Sequence, residues 1–220
     1  MTYPSQRADY ELPEFLGGAA EELTGAPARP GPKSPGHIPG EAGLWIFILG
    51  DMTLFAAIML VFLWDRRSQP EVFNEAAHQL LQPIGAVNTL VLLLSSYLVV
   101  RALAAHRAGR YGSAGHLVIG AIGCAAVFGG LKAVEYSSEL SSGHTPASGT
   151  FFTFYFILTG LHLLHVVVGS ALLLAWNGKL KRGRPWAGVQ RFIEGIACYW
   201  HMVDLLWVAI FALVYLVSAE

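Results

Sequence analysis

The sequence predicts an all-α polytopic membrane protein, a bundle of five transmembrane helices behind a disordered N-terminal tail. Three observations carry this. Of 220 residues, 54% are hydrophobic and 13% are charged, more apolar surface than a soluble domain of this length can enclose. The apolar residues gather into five runs, each close to the roughly 20 residues that a helix needs to cross the hydrocarbon core. Residues 1–40, by contrast, are polar and frequent in proline (Pro27, Pro30, Pro32, Pro35 and Pro39).

That tail has too few apolar residues to fold alone and is expected to be disordered, on the cytoplasmic side. It also lacks the apolar stretch of a secretory signal. Residues 41–220 form the transmembrane domain. The first span is expected over 43–64, entered after Pro39-Gly40 and stopped by Asp65-Arg66-Arg67. The others are expected over about 83–104, 113–136, 150–176 and 191–217. Trp45, Trp64, Tyr136, Trp176 and Tyr215 lie near span ends, where amphipathic rings favour the interface.

Lys and Arg divide eleven against two between the two sides, counting the tail with the second and fourth connections against the first and third. The positive-inside rule therefore places the N-terminus in the cytoplasm and the C-terminus outside. The net charge of -1 offers no electrostatic case for nucleic acid. No internal repeat supports an inverted-repeat transporter. Cys124 and Cys198 fall inside predicted spans, outside any Cys-x-x-Cys pair, and read as packing residues.

Ionisable residues inside the spans are the main functional signal, because charge at bilayer depth is costly and normally faces protein or water. The segment 194–211, EGIACYWHMVDLLWVAIF, places Glu194, His201 and Asp204 on one helix face at spacings of seven and three. Asp51 sits within the first span, and His162 and His165 lie past the middle of the fourth. Asp51, His162, His165, His201 and Asp204 are expected to share a layer near the midplane, as an internal polar network for helix packing or proton uptake.

Each residue has two readings. Asp51 is a hydrogen-bonded packing carboxyl or a proton-pathway group, and a transporter would use it as a coupling carboxylate. His162 and His165 form His-x-x-His, suited to interhelical hydrogen bonds or to a metal on one helix face. A haem between either of them and His201 is geometrically open. Glu194 is a helix-start carboxylate one turn from Arg191 or a functional group. His201 and Asp204 make an internal hydrogen bond or a subunit contact. Lys132 and Glu135, near the outer end of the third span, pair or snorkel. Small residues such as Gly120, Gly160 and Gly169 favour close helix contacts.

Three stretches, in order, carry a family resemblance. The last span, with Glu194, Trp200, His201, Asp204 and Trp207, resembles the Glu…Tyr-Trp-His-x-Val-Asp-x-x-Trp signature of subunit III of the haem-copper oxidases (cytochrome c oxidases), in its short five-helix bacterial form. The fourth span, SGTFFTFYFILTGLHLLHVVVG, is similar to that family's Phe-Phe…Thr-Gly-x-His-x-x-His stretch through His162 and His165. KAVEYSSEL matches its Glu-Tyr pattern at Glu135 and Tyr136. The resemblance covers about residues 40–218.

It implies a non-catalytic integral subunit of a bacterial plasma-membrane respiratory oxidase. Such a subunit packs against catalytic subunit I and other oxidase subunits and supports proton uptake and stability during aerobic electron transport. No haem or copper is expected in this chain, since partner subunits carry them; bound phospholipid and membrane lipids complete the expected contacts. Two departures stand out. Asp51, in WIFILGDMTLF, replaces the family's glutamate, and the Gly50-Asp51 form is more like the branch associated with nitric-oxide reductases. The two helices that frame a lipid cleft in seven-helix members have no counterpart here.

Overall fold

The computed structural model describes residues 42–181 and 189–216; the expected disordered tail, residues 1–40, lies outside them. Among the described residues every regular element is helical. Helices α1 (Ala42–Ser68), α3 (Gln82–Arg107), α4 (Tyr111–Ser141), α5 (Thr150–Lys181) and α6 (Val189–Phe211) are accompanied by a short α2 (Pro70–Gln79) between the first two and by a π-helical turn over Ala212–Leu216 after the last. Among the described residues five helices are long and apolar enough to cross a membrane, α6 being continued by the π turn.

The spans fall where hydropathy predicts, but the helices outlast the apolar runs. Helix α1 continues through Asp65, Arg66 and Arg67 to Ser68, because arginine, though it ends a membrane span, is a good helix former. Helix α2 is an addition to the sequence expectation. Proline opens it at a position where a missing N–H costs nothing. Phe73, Ala76 and Ala77 then fall on one buried face, at the spacing of an amphipathic helix. Phe73 seats α2 edge-on against Phe62 of α1 (ring centroids 5.2 Å) and Phe151 of α5 (5.7 Å).

Helices α3 and α4 make the most extensive pair. Helix α6 packs on α1, α3 and α5 and is the most enclosed span, whereas α1 is the least. Trp200 and Trp207 of α6 are fully buried. Trp200 lies so close to α5 that a Cβ added at Gly169 would stand 2.8 Å from the indole carbons, so only glycine fits there. Large apolar side chains face outward on every span, among them Leu60, Leu90, Val134, Leu164 and Leu205, as lipid contact requires.

Candidate functional site

Three groups of polar contacts between helices involve the residues that the sequence singles out. The first is a seam between α6 and α3. Trp207 Nε1–H donates to Thr89 Oγ1 (3.1 Å), Trp200 Nε1–H donates to Ser95 Oγ (3.0 Å), and His201 Nδ1 hydrogen-bonds Ser96 Oγ (2.7 Å). An indole N–H has to find an acceptor when buried, and hydroxyls on a facing helix supply it at little steric cost. The α6 signature residues Trp200, His201 and Trp207 thus all bond to α3.

The second place is a fully buried ion pair. Lys132 Nζ donates to Glu135 Oε2 (3.1 Å), to the Tyr155 hydroxyl (3.2 Å) and to the Tyr215 hydroxyl (3.1 Å). Both phenols donate in turn to Glu135 Oε1, Tyr155 at 2.8 Å. The inventory closes: an ammonium has three donors and all are used, while the carboxylate accepts three bonds. A neutral amine would lose one of them. The ammonium also lies 4.8–5.8 Å from the ring centroids of Tyr136, Tyr155, Trp207 and Tyr215, within cation–π range. Tyr136 is held beside the pair by Thr159 Oγ1 (2.7 Å). The cluster draws on α4, α5, α6 and the π turn. That turn, anchored by Gln82 Nε2 donating to Tyr215 O (3.2 Å), delivers the Tyr215 hydroxyl. Of the two expectations for Lys132 and Glu135, pairing holds and snorkelling does not.

The third place joins α1 to α5. His165 Nε2 lies 3.0 Å from Asp51 Oδ1, and its Nδ1 lies 2.7 Å from the Leu161 carbonyl. A carbonyl only accepts, so Nδ1 carries hydrogen. Asp51 and His165 therefore share one further proton across the Nε2–Oδ1 contact. Phe55 packs edge-on against the imidazole (5.6 Å).

These contacts divide the five groups that the sequence places in one layer. Asp51 bonds His165, and His201 bonds Ser96. His162 is enclosed between Phe128 (5.5 Å) and Trp207 (5.1 Å), with neither nitrogen hydrogen-bonded among the described residues. Asp204 is buried with neither oxygen bonded there, and the neighbouring Ser96 hydroxyl is engaged with His201. Among the described residues no single hydrogen-bonded network links the five. Glu194 accepts from Arg107 Nη2 of α3 (2.8 Å) and from Gln190 (2.6 Å), four residues before it on α6.

His162 and His165 point to different neighbours, so the His-x-x-His spacing does not converge on one point. Among the described residues no three His, Cys, Asp or Glu side chains are grouped as metal ligands. Sequence reasoning missed Thr89, Ser95 and Ser96, whose signal was hydroxyls repeating along one face of an apolar helix. It also missed Tyr155 and Tyr215, which carry no local signal.

The comparisons agree with this architecture. A family model described as cytochrome c oxidase subunit III matches residues 39–219. The chain is 26% identical over 182 residues to a probable quinol oxidase subunit 3 of Staphylococcus haemolyticus (strain JCSC1435), covering 80% of this chain and 88% of that protein. It is 27% identical over 178 residues to a probable quinol oxidase subunit 3 of Staphylococcus aureus (strain USA300), with the same two coverages. To cytochrome c oxidase subunit 3 of Marchantia polymorpha it is 27% identical over 179 residues, 79% of this chain and 66% of that longer protein.

Proposed function

Since the chain belongs to the cytochrome c oxidase subunit III family, we propose that it packs on catalytic subunit I of a haem-copper terminal oxidase and supports that subunit's proton uptake and stability during turnover. It is a multi-pass membrane protein, and the family associates with other oxidase subunits. The observation that supports the scaffold reading is the use made of most signature residues: Glu135, Tyr136, Glu194, Trp200, His201 and Trp207 bond to side chains of this same chain, while Asp204 and His162 have no such bond among the described residues.

Haem and copper, in this reading, stay in partner subunits, and no catalytic step is assigned to this chain. Its basic connections face the cytoplasm, the N-terminus with them and the C-terminus opposite. The test is to delete the chain and follow the remaining complex in proteoliposomes. The proposal predicts oxygen reduction that starts and then decays faster during turnover, with slowed proton uptake. Unchanged lifetime and uptake would remove the supporting role. Gly50-Asp51 favours a second reading, an accessory subunit of a nitric-oxide reductase, which predicts loss of nitric-oxide rather than oxygen consumption on deletion.

A further inference from the structure

Helices α3 and α6 meet along a seam whose outer side faces away from the bundle. Leu93, Ser96 and Val100 follow one another at helical spacing on α3, and His201, Leu205 and Val208 do so on α6. The four apolar members are exposed and Ser96 and His201 are partly so. The Ser96–His201 bond (2.7 Å) ties the two stripes together.

His201 has one nitrogen left over. Nδ1 is engaged with Ser96, while Nε2 makes no hydrogen bond among the described residues and is not enclosed. The residue lies near the middle of the span Gln190–Leu216, about 17 Å along the helix from its start. Water and lipid headgroups stay outside the hydrocarbon core, and acyl chains form no hydrogen bonds. A polar atom turned toward lipid at that depth is costly, so a protein group has to meet it.

The proton on the ring says which kind of group. The Ser96 hydroxyl has Nδ1 as its acceptor among the described residues, and both oxygens of the neighbouring Asp204 are unbonded there. With the serine donating to Nδ1, the hydrogen of the neutral imidazole sits on Nε2. In the imidazolium both nitrogens carry hydrogen, so Nε2 is a donor in either charge state.

We infer that this seam docks a transmembrane helix of the oxidase partner, one that presents an acceptor oxygen to His201 Nε2–H at mid-bilayer. The inference rests on the packing proposed above and adds the face that makes it. The leucine and valine stripes give the incoming helix an apolar bed, and His201 fixes its depth. A second copy of this chain is the poorer occupant. A twofold contact along the seam would set one Nε2–H against another, donor against donor.

The test uses the full chain in its native membrane. A photo-crosslinking phenylalanine analogue replaces Leu205 or Val100 on the seam, or, as a control, exposed Leu164 near the middle of α5. Mass spectrometry identifies what each position captures. Both seam positions are expected to capture a span of the oxidase partner, and Leu164 lipid alone. His201→Phe keeps a ring and loses the donor. It should weaken retention of the partner in detergent about fivefold, the weight of one hydrogen bond between membrane helices. Ser96→Ala breaks the internal bond but keeps Nε2, and should retain the partner as the unaltered chain does.

Capture of the partner at Leu164 and not at the seam would overturn the docking face and leave the proposed function standing. Lipid alone at both seam positions, with the partner still co-purifying, would do the same. A second copy captured at the seam would overturn the choice of occupant. Undiminished retention in His201→Phe, or equal losses in His201→Phe and Ser96→Ala, would deny Nε2 its role and overturn the inference. An unaltered chain that purifies with no partner would bring down the proposed function, and this inference with it.

Discussion

Lys132 and Glu135 sit one helical turn apart on α4 with both side chains fully buried, and each is completely hydrogen-bonded by the other and by two tyrosines. Such a pair contributes little net stability when intact, because desolvation of the two charges offsets their attraction. Breaking it is another matter. One charge removed leaves the other stranded at the junction of α4, α5, α6 and the π turn.

Lys132→Met is therefore expected to destabilise the bundle by about 3–5 kcal/mol. Lys132→Met with Glu135→Leu should cost less than either single change. Thermal unfolding in detergent micelles checks this. A double variant worse than both singles would mean that the pair's value lies in something other than mutual neutralisation.

The seam between α6 and α3 makes a prediction about coupling. Trp207 Nε1–H donates to Thr89 Oγ1 at 3.1 Å. A double-mutant cycle with Trp207→Phe and Thr89→Val should give a coupling of about 0.6–1.7 kcal/mol, the range for interhelical hydrogen bonds in membranes. Additive effects would show the bond to be incidental to packing.

Much of this architecture was readable in advance. Five runs of apolar residues have one reading in a chain of this composition, and the helices formed on them. Helix α2 escapes a search for membrane spans, since exposed Glu71 and Glu75 keep it near neutral hydropathy, and only the amphipathic spacing of Phe73, Ala76 and Ala77 marks it in the sequence. The polar contacts were only half readable. Position along a helix gives depth through the fixed rise per residue, so Asp51 and His165 could be set at comparable depth. It gives no rotation of one helix against its neighbour. Asp51 therefore met His165, while His201 turned to Ser96 and His162 to Trp207 and Phe128. Tyr155 and Tyr215 reach Glu135 from 20 and 80 residues away, a convergence that only the folded chain displays.

The shared proton between Asp51 and His165 has a distinctive consequence. In Asp51→Asn the carboxamide can still donate to Nε2, so the structure should hold to within about 1 kcal/mol. Asp51→Leu leaves Nε2 unpaired and should cost about 1–3 kcal/mol. Nitrogen NMR of His165 reads this directly. The Nδ1–H form should persist in Asp51→Asn, and a switch to Nε2–H would contradict the assigned geometry.

Under the proposed function, this bundle serves as a scaffold for a haem-copper partner. The most direct measurement is mild-detergent purification of the tagged chain from its native membrane, with mass spectrometry and a reduced-minus-oxidised spectrum of the product. A haem-copper catalytic subunit is expected in the same complex, with the haem absorbance following that subunit when the complex is dissociated. A chain that purifies alone and colourless, or that keeps the haem absorbance after its partners are removed, would contradict it.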